Sequence, residues 1–348
     1  MTDDTPRGIP TPIPRPRITE AGTANPDAPL HLVCSLPVHY LPEIRTELER
    51  LFRVSYCYNR PRDQLLSLLP SADALLVNAA APYRLDRDLL VRAERLQIIV
   101  SPSTGTDHTD LDYCAERGIA FSGLKEHPEV IEQIHGSAEF SFALLMALIR
   151  RLPRGVDLAR AGYWREVEDE LRGIELSGKR LGLVGYGRIG RKMSRYAHAF
   201  DARVLAVDPF VSDVDPWVER VGSLDALLPV CDIVSLHVHL SDETRLMFNA
   251  ARFAQMRPGS YFVNTSRGWL VDEPALIAAL ESGTLAGAAV DVTQGELSGR
   301  ADENRLVDYA RRHDTLIVSP HMAGLTVDAM GKAARQGLRA LKAFFQLS

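Results

Sequence analysis

The chain has 348 residues, 46% of them hydrophobic and 24% charged, with a net charge of −5. At about 100–200 residues per domain this length predicts two domains, each able to bury a core. The mild acidity and the absence of any basic run longer than Arg150-Arg151 exclude a nucleic-acid-binding surface. No apolar run approaches the ~20 residues of a membrane span, and no signal-peptide core stands near the start, so the expected location is the cytoplasm, with no membrane partner. Cys34, Cys57, Cys114 and Cys231 are far apart and form no CxxC pair, which predicts reduced thiols and no metal site.

Residues 1–28 hold Pro6, Pro10, Pro12, Pro14, Pro16 and Pro26 among small and polar residues and read as a disordered tail. An extended docking peptide is the alternative. Apolar runs at 31–36, 74–78, 96–101 and 119–122 read as strands, with helical patterns at 42–52 and 85–93. Residues 129–152 read as one long helix, rich in apolar groups for a surface helix and suited to a domain crossing or a subunit contact. Six further strands are expected at 180–185, 203–207, 233–237, 261–264, 288–291 and 315–319, and a last helix at 327–345. Alternating strands and helices predict parallel βαβ units. The expected fold is therefore α/β with two Rossmann-like domains. Residues 29–127, completed by 322–348, would form a flavodoxin-like substrate domain, and 128–321 a doubly wound NAD-binding domain.

The strand ending at Val184 runs into Gly185-Tyr186-Gly187-Arg188-Ile189-Gly190, a GxGxxG sequence followed by a helical pattern at 191–199. The next strand ends on Asp208, an acid about 20 residues on, as a dinucleotide fingerprint requires. Gly185 allows the tight turn, Gly187 lets backbone approach the pyrophosphate, and Gly190 lets the helix sit close to the sheet. Unpaired N–H groups at the helix start favour the phosphates. Asp208 suits the ribose hydroxyls and repels a 2′-phosphate, and the following Pro209-Phe210 supplies no arginine, which favours NAD over NADP.

From about residue 30 to the end, most strongly from Ser177-Gly178-Lys179 onward, the chain resembles the D-isomer-specific 2-hydroxyacid dehydrogenase family, in a phosphoglycerate-dehydrogenase-like form. Asn264-Thr265-Ser266-Arg267-Gly268 resembles the NTxRG motif, whose arginine is catalytic. Asp291-Val292 followed by Glu296 resembles the DVFxxEP segment, whose aspartate meets the nicotinamide side and whose glutamate is catalytic; Leu297 stands where the family has proline. Pro320-His321-Met322-Ala323-Gly324 resembles the PHxxG motif with its catalytic histidine. The resemblance thus implies Arg267, Glu296 and His321 as the catalytic set. It places Arg188, Ile189, Val238, His239, Thr244, Thr265, Ser266, Arg267, Asp291, His321, Ala323 and Gly324 at the cofactor beside the glycine loop and Asp208. His239 replaces the proline of the family's HVPL segment. Ser103-Thr104-Gly105 resembles the loop whose backbone N–H groups hold the substrate carboxylate, with Arg267 and His321 completing the substrate contacts. Phosphite-oxidising members carry lysine where this chain has Thr104, which argues against phosphite.

The chemistry fits these residue types. Reducing a 2-keto acid needs a hydride at C2 and a proton on its oxygen. A histidine can move that proton near neutrality. A carboxylate beside it favours the imidazolium and orients the ring, so Glu296 is expected to raise the pKa of His321. A guanidinium can grip the substrate carboxylate and polarise the carbonyl. The expected function is NAD-dependent oxidoreduction of a small anionic 2-hydroxy or 2-keto acid in a cleft between the domains, and the resemblance implies a homodimer formed through the long helix. The alternatives are an NAD-responsive, corepressor-like scaffold and an NAD enzyme acting on a phosphonate analogue. With the chain ending at Ser348, no C-terminal regulatory domain is expected.

Overall fold

The computed structural model describes residues 23–58, 61–79, 81, 83–296 and 303–348, which divide into two compact units. The first contains residues 23–134 and Leu325–Ser348, and the second contains His135–Glu296 and residues 303–324. The proline-rich stretch before residue 23 lies outside the described residues.

The first unit is built on six strands: β1 (Thr23–Ala24), β2 (His31–Cys34), β3 (Arg53–Tyr56), β4 (Ala74–Leu76), β5 (Ile98–Ser101) and β6 (Ala120–Gly123), in the order β1-β3-β2-β4-β5-β6. All pairings are parallel except β1 on β3. Without β1 the order is that of a flavodoxin-like sheet. Every residue of β2, β4 and β5 is buried, as a parallel sheet covered on both faces requires. The helix Val327–Phe345 returns to this sheet and buries Ala334 and Leu341 with Leu32, Leu76 and Val100. Thr326 caps it by accepting the N–H of Ala329, and it stops where Gln346 turns left-handed (φ +56°).

In the second unit seven parallel strands follow: β7 (Arg180–Val184), β8 (Arg203–Val207), β9 (Val218–Arg220), β10 (Ile233–Leu236), β11 (Ser260–Asn264), β12 (Leu285–Val290) and β13 (Leu316–Val318). Their order, β13-β12-β11-β10-β7-β8-β9, is the doubly wound one, with the reversal between β7 and β10. Phe262 on β11 is fully buried, 5.0 Å from the ring of Phe248 and 5.3 Å from that of Phe253.

Three expectations need correction. The expected tail ends earlier than residue 28, because Thr23 and Ala24 pair with β3 and cover its otherwise open edge. The single helix expected at 129–152 is broken: Pro128–Glu132 ends before His135, Gly136–Ile149 follows, and Leu152–Arg160 starts after a left-handed Arg151 (φ +50°). The pieces bury different faces. Val130 packs with Leu124 and Ala333 in the first unit, whereas Leu144, Leu145, Leu148 and Ile149 pack with Leu181, Val263 and Ala289 in the second. The sheet thus accounts for most of the apolar content of Gly136–Ile149. Strands β3 and β9 were not expected at all. All four cysteines are free and buried, and burial pushes up the thiols of Cys34, Cys114 and Cys231.

Truncating Phe262 to alanine leaves a cavity with no solvent path, so Phe262→Ala is expected to destabilise the second unit by about 3–5 kcal/mol. Urea unfolding measures this, and a loss under about 1 kcal/mol would show that the aromatic cluster does not organise this core.

Candidate active site

The glycine loop stands at the C-terminal end of β7, where the strand order reverses. Gly185 adopts φ +95°, and a Cβ there would lie 2.5 Å from the carbonyl oxygen of His237. A Cβ at Gly190 would lie 2.3 Å from the Gly185 oxygen, so the helix Arg188–Ala199 packs directly on the loop. A Cβ at Gly187, by contrast, would meet nothing within 4 Å. That open space lies over a twelve-residue helix start that no side chain caps, which is what a phosphate group needs. Asp208 accepts the N–H of Tyr186 and of Phe210, both at 2.8 Å, one on each carboxylate oxygen. Each oxygen keeps a lone pair for a ribose hydroxyl. Nδ1 of His237 is buried without a partner among the described residues, while Nε2 meets Ser235 Oγ at 3.0 Å. Burial pushes this ring's pKa down to about 3.

The Arg267 turn follows β11. Asn264, 1% exposed, accepts the N–H of Ser266 (3.0 Å) and donates to the carbonyl of Arg267 (2.9 Å), closing the turn from within. Ser266 Oγ donates to the Leu236 carbonyl on the neighbouring strand. Thr265 Oγ1 meets Ser141 Oγ at 2.6 Å. Gly268 is required by a close approach: a Cβ there would lie 2.2 Å from the carbonyl carbon of Thr293.

His321 Nδ1 donates to Glu296 Oε1 at 2.9 Å. The pKa of His321 is raised, mainly by that hydrogen bond and the glutamate's charge; burial and the Arg267 charge act in the opposite direction. Nε2 has no hydrogen-bond partner among the described residues. His321 sits in the left-handed region (φ +51°), a conformation costing a β-carbon-bearing residue about 1–3 kcal/mol. It is held there by Asp291. The Asp291 carbonyl accepts the His321 N–H (2.8 Å), and its carboxylate accepts Ser319 Oγ (2.5 Å), Met322 N–H (3.0 Å) and Ala323 N–H (2.8 Å).

The structure therefore gathers Arg267, Asp291, Glu296 and His321 with the glycine loop and Asp208 in the second unit. Thr244 is taken up by its own turn, donating to the His239 carbonyl and accepting the Ser241 N–H. Ser103, Thr104 and Gly105 belong to the first unit. There the Ser103 N–H is already bonded to the Ser101 carbonyl, and those of Thr104 and Gly105 have no partner among the described residues. Sequence reasoning missed Asn264 and Ser319 as supports of the turns. Asn264 stood in the quoted motif, and its carboxamide was the available signal.

Residues 142–323 match the family described as D-isomer specific 2-hydroxyacid dehydrogenase, NAD binding domain. The chain belongs to the D-isomer specific 2-hydroxyacid dehydrogenase family. It is 34% identical over 276 residues to the D-3-phosphoglycerate dehydrogenase of Mycobacterium tuberculosis, covering 78% of this chain and 49% of that protein. The chain thus spans about half the length of the phosphoglycerate dehydrogenases it matches. It is 34% identical over 286 residues to the glyoxylate reductase of Thermofilum pendens, covering 80% of each. Its structure is similar to that of the D-lactate dehydrogenase of Aquifex aeolicus complexed with NAD and lactic acid, with TM-score 0.76, 30% identity and coverage of 91% and 95%.

In this family member NAD is the dinucleotide of the second unit, and the open space at Gly187, the unpartnered Nδ1 of His237 and the acceptor oxygens of Asp208 fit it. The Glu296–His321 pair also fixes the sign of a pH effect. With the folded pKa of His321 raised, its stabilisation is full below the unfolded value of about 6.5 and is lost as pH rises through the folded value. The stability gap between wild type and Glu296→Gln, from urea unfolding, should therefore shrink from pH ~6 to pH ~9. A gap that widens with pH would show that His321 is not held protonated against Glu296.

Proposed function

We propose that the chain is an NAD-dependent oxidoreductase interconverting a D-2-hydroxy acid and its 2-keto acid, with Arg267, Glu296 and His321 as the catalytic set. The observation that carries this is the 2.9 Å Glu296–His321 hydrogen bond, with its raised histidine pKa, within electrostatic reach of Arg267. When bound, NAD would supply the hydride acceptor for C2 in oxidation, and NADH the hydride donor in reduction. His321 holds its exchangeable proton at Nε2, accepting it from the substrate hydroxyl in oxidation and giving it to the carbonyl oxygen in reduction. Glu296 stabilises the imidazolium and fixes the ring so that Nε2 is the working atom. Arg267 binds the substrate carboxylate and polarises the C2 oxygen. In the first unit, the unpartnered N–H groups of Thr104 and Gly105 suit a carboxylate, and Ser103 shapes their loop through its bond to the Gly105 carbonyl.

The reading extends to selectivity, assembly and location. The charge of Asp208, fixed by two backbone N–H groups, opposes a 2′-phosphate and favours NAD. A homodimer is supported by an exposed apolar stripe, which lies on Leu152–Arg160 and the turn after it rather than on Gly136–Ile149. Leu152, Val156, Tyr163 and Trp164 are 57%, 38%, 49% and 72% exposed. Four buried free thiols suit the reducing cytoplasm. Among the described residues no helix is long and apolar enough to cross a membrane.

NADH oxidation against a panel of 2-keto acids (glyoxylate, hydroxypyruvate, phosphohydroxypyruvate, phenylpyruvate, 2-ketoglutarate and phosphonopyruvate) tests the reading. One acid should turn over, and His321→Ala or Arg267→Ala should lower its kcat/KM by roughly 10²–10⁴-fold. Full activity in either variant would remove that residue from the catalytic set; silence across the panel with NADH bound would remove the substrate class. Asp208→Ala should cut the NADH-over-NADPH preference at least tenfold, and an unchanged ratio would place selectivity elsewhere. In light scattering, Trp164→Glu should shift a dimer towards monomer; a wild-type monomer would end the dimer reading.

A further inference from the structure

Glu273 is a buried acid that the proposed reaction does not use. It opens the helix Glu273–Glu281, is 3% exposed, and has no ion-pair partner among the described residues. Its Oε1 accepts the backbone N–H of Gln294 at 2.7 Å. The Asn304 side-chain amide lies 3.2 Å from Oε1 and 3.1 Å from Oε2 and also donates to the Gln294 carbonyl. The side chain of Gln294 returns to the Val271 carbonyl at 2.7 Å. Two residues after Gln294 stands Glu296, whose Oε2 accepts the Thr293 N–H while Oε1 accepts from His321. The turn between them passes through a left-handed Gly295 (φ +73°), and the Thr293 carbonyl packs on Gly268, beside Arg267.

We infer that Glu273 is a positioning residue for the Glu296–His321 pair: its carboxylate clasps Gln294 and Asn304 and thereby fixes the turn from which Glu296 reaches His321. A carboxylate suits this place because both facing groups are donors. An amide would set its own NH2 against one of them and leave a buried donor unpaired. A short turn with a glycine at its tip has no apolar side chain to pin it, so loss of one anchor moves the residue at its end. The clasp also ties the segment leaving Arg267 to the segment carrying Glu296, so that two functional side chains share one anchor. Burial raises the pKa of Glu273 against the hydrogen bonds that lower it. The charged groups bearing on it are Arg305 and Asp272, and those bearing on His321 are Glu296, Arg267 and Asp291.

The inference rests on reading Glu296 and His321 as the proton-handling pair, and its test needs no turnover. The His321 imidazole of the full chain, assigned by comparison with His321→Ala, is titrated by NMR in wild type, Glu296→Gln and Glu273→Gln. Glu296→Gln should bring the His321 pKa down towards the ordinary histidine value. Glu273→Gln should move it in the same direction by at least a third of that change, with NADH affinity by fluorescence kept within about twofold. An unchanged His321 titration in Glu273→Gln would overturn the inference, as would a shift accompanied by loss of NADH binding, which would mark general loosening. If Glu273→Gln does not fold, Asn304→Ser decides, since serine keeps the helix cap but cannot reach the carboxylate. The same partial shift is expected there, and a wild-type titration would overturn the inference.

Discussion

Asp291 stands just past the end of β12, 1% exposed, and a carboxylate taken out of water must find donors inside the protein. The donors it finds all belong to the segment that carries His321: a serine hydroxyl and two successive backbone N–H groups. The need to satisfy one acid thus shapes the backbone around a different residue. His321 is kept left-handed because the alternative backbone would leave Asp291 unpaired, and the orientation of the ring towards Glu296 follows. The family resemblance ties Asp291 to the nicotinamide; the geometry adds that it holds the histidine turn.

Acids that accept backbone N–H groups recur where each sheet changes direction. In the first unit Asp73, just before β4, accepts the N–H of His31, the first residue of β2. In the second, Asp232, just before β10, accepts the N–H of Arg180, the first residue of β7. Both pairs flank the point where the strand order reverses, and each fixes the register of two parallel strands at their N-terminal ends. At the opposite end of β7 and β10 lie Gly185 and His237, whose contact leaves room for no side chain between them. The loop geometry at the top therefore inherits a register set at the bottom.

What could be read in the sequence were features with a local signature. The glycine loop, the arginine after β11 and the histidine after β13 each sit in a short string whose residue types are dictated by neighbours in the chain, and the structure puts all three in one unit. The helix Val327–Phe345 has its own cap and stop, so its ends were legible. Strands β3 and β9 were not, because Arg53–Tyr56 and Val218–Arg220 are short and mixed in character and owe their conformation to pairing rather than pattern. The break before Gly136 was hidden for a related reason: an apolar run says that a segment is buried but not against what. Glu273 acts through partners 21 and 31 residues away and Ser319 through one 28 residues away, and no periodicity records such a bond.

The cysteines carry a practical consequence. Each of the four is a free thiol closed off from solvent, and thiols whose ionisation is suppressed by burial react slowly with electrophiles. The folded chain is in effect a cysteine-free surface. A cysteine introduced at an exposed position would take a maleimide dye or spin label alone, with no native cysteine replaced. Pairs of such labels within one unit could then report distances by spectroscopy in the otherwise unaltered protein.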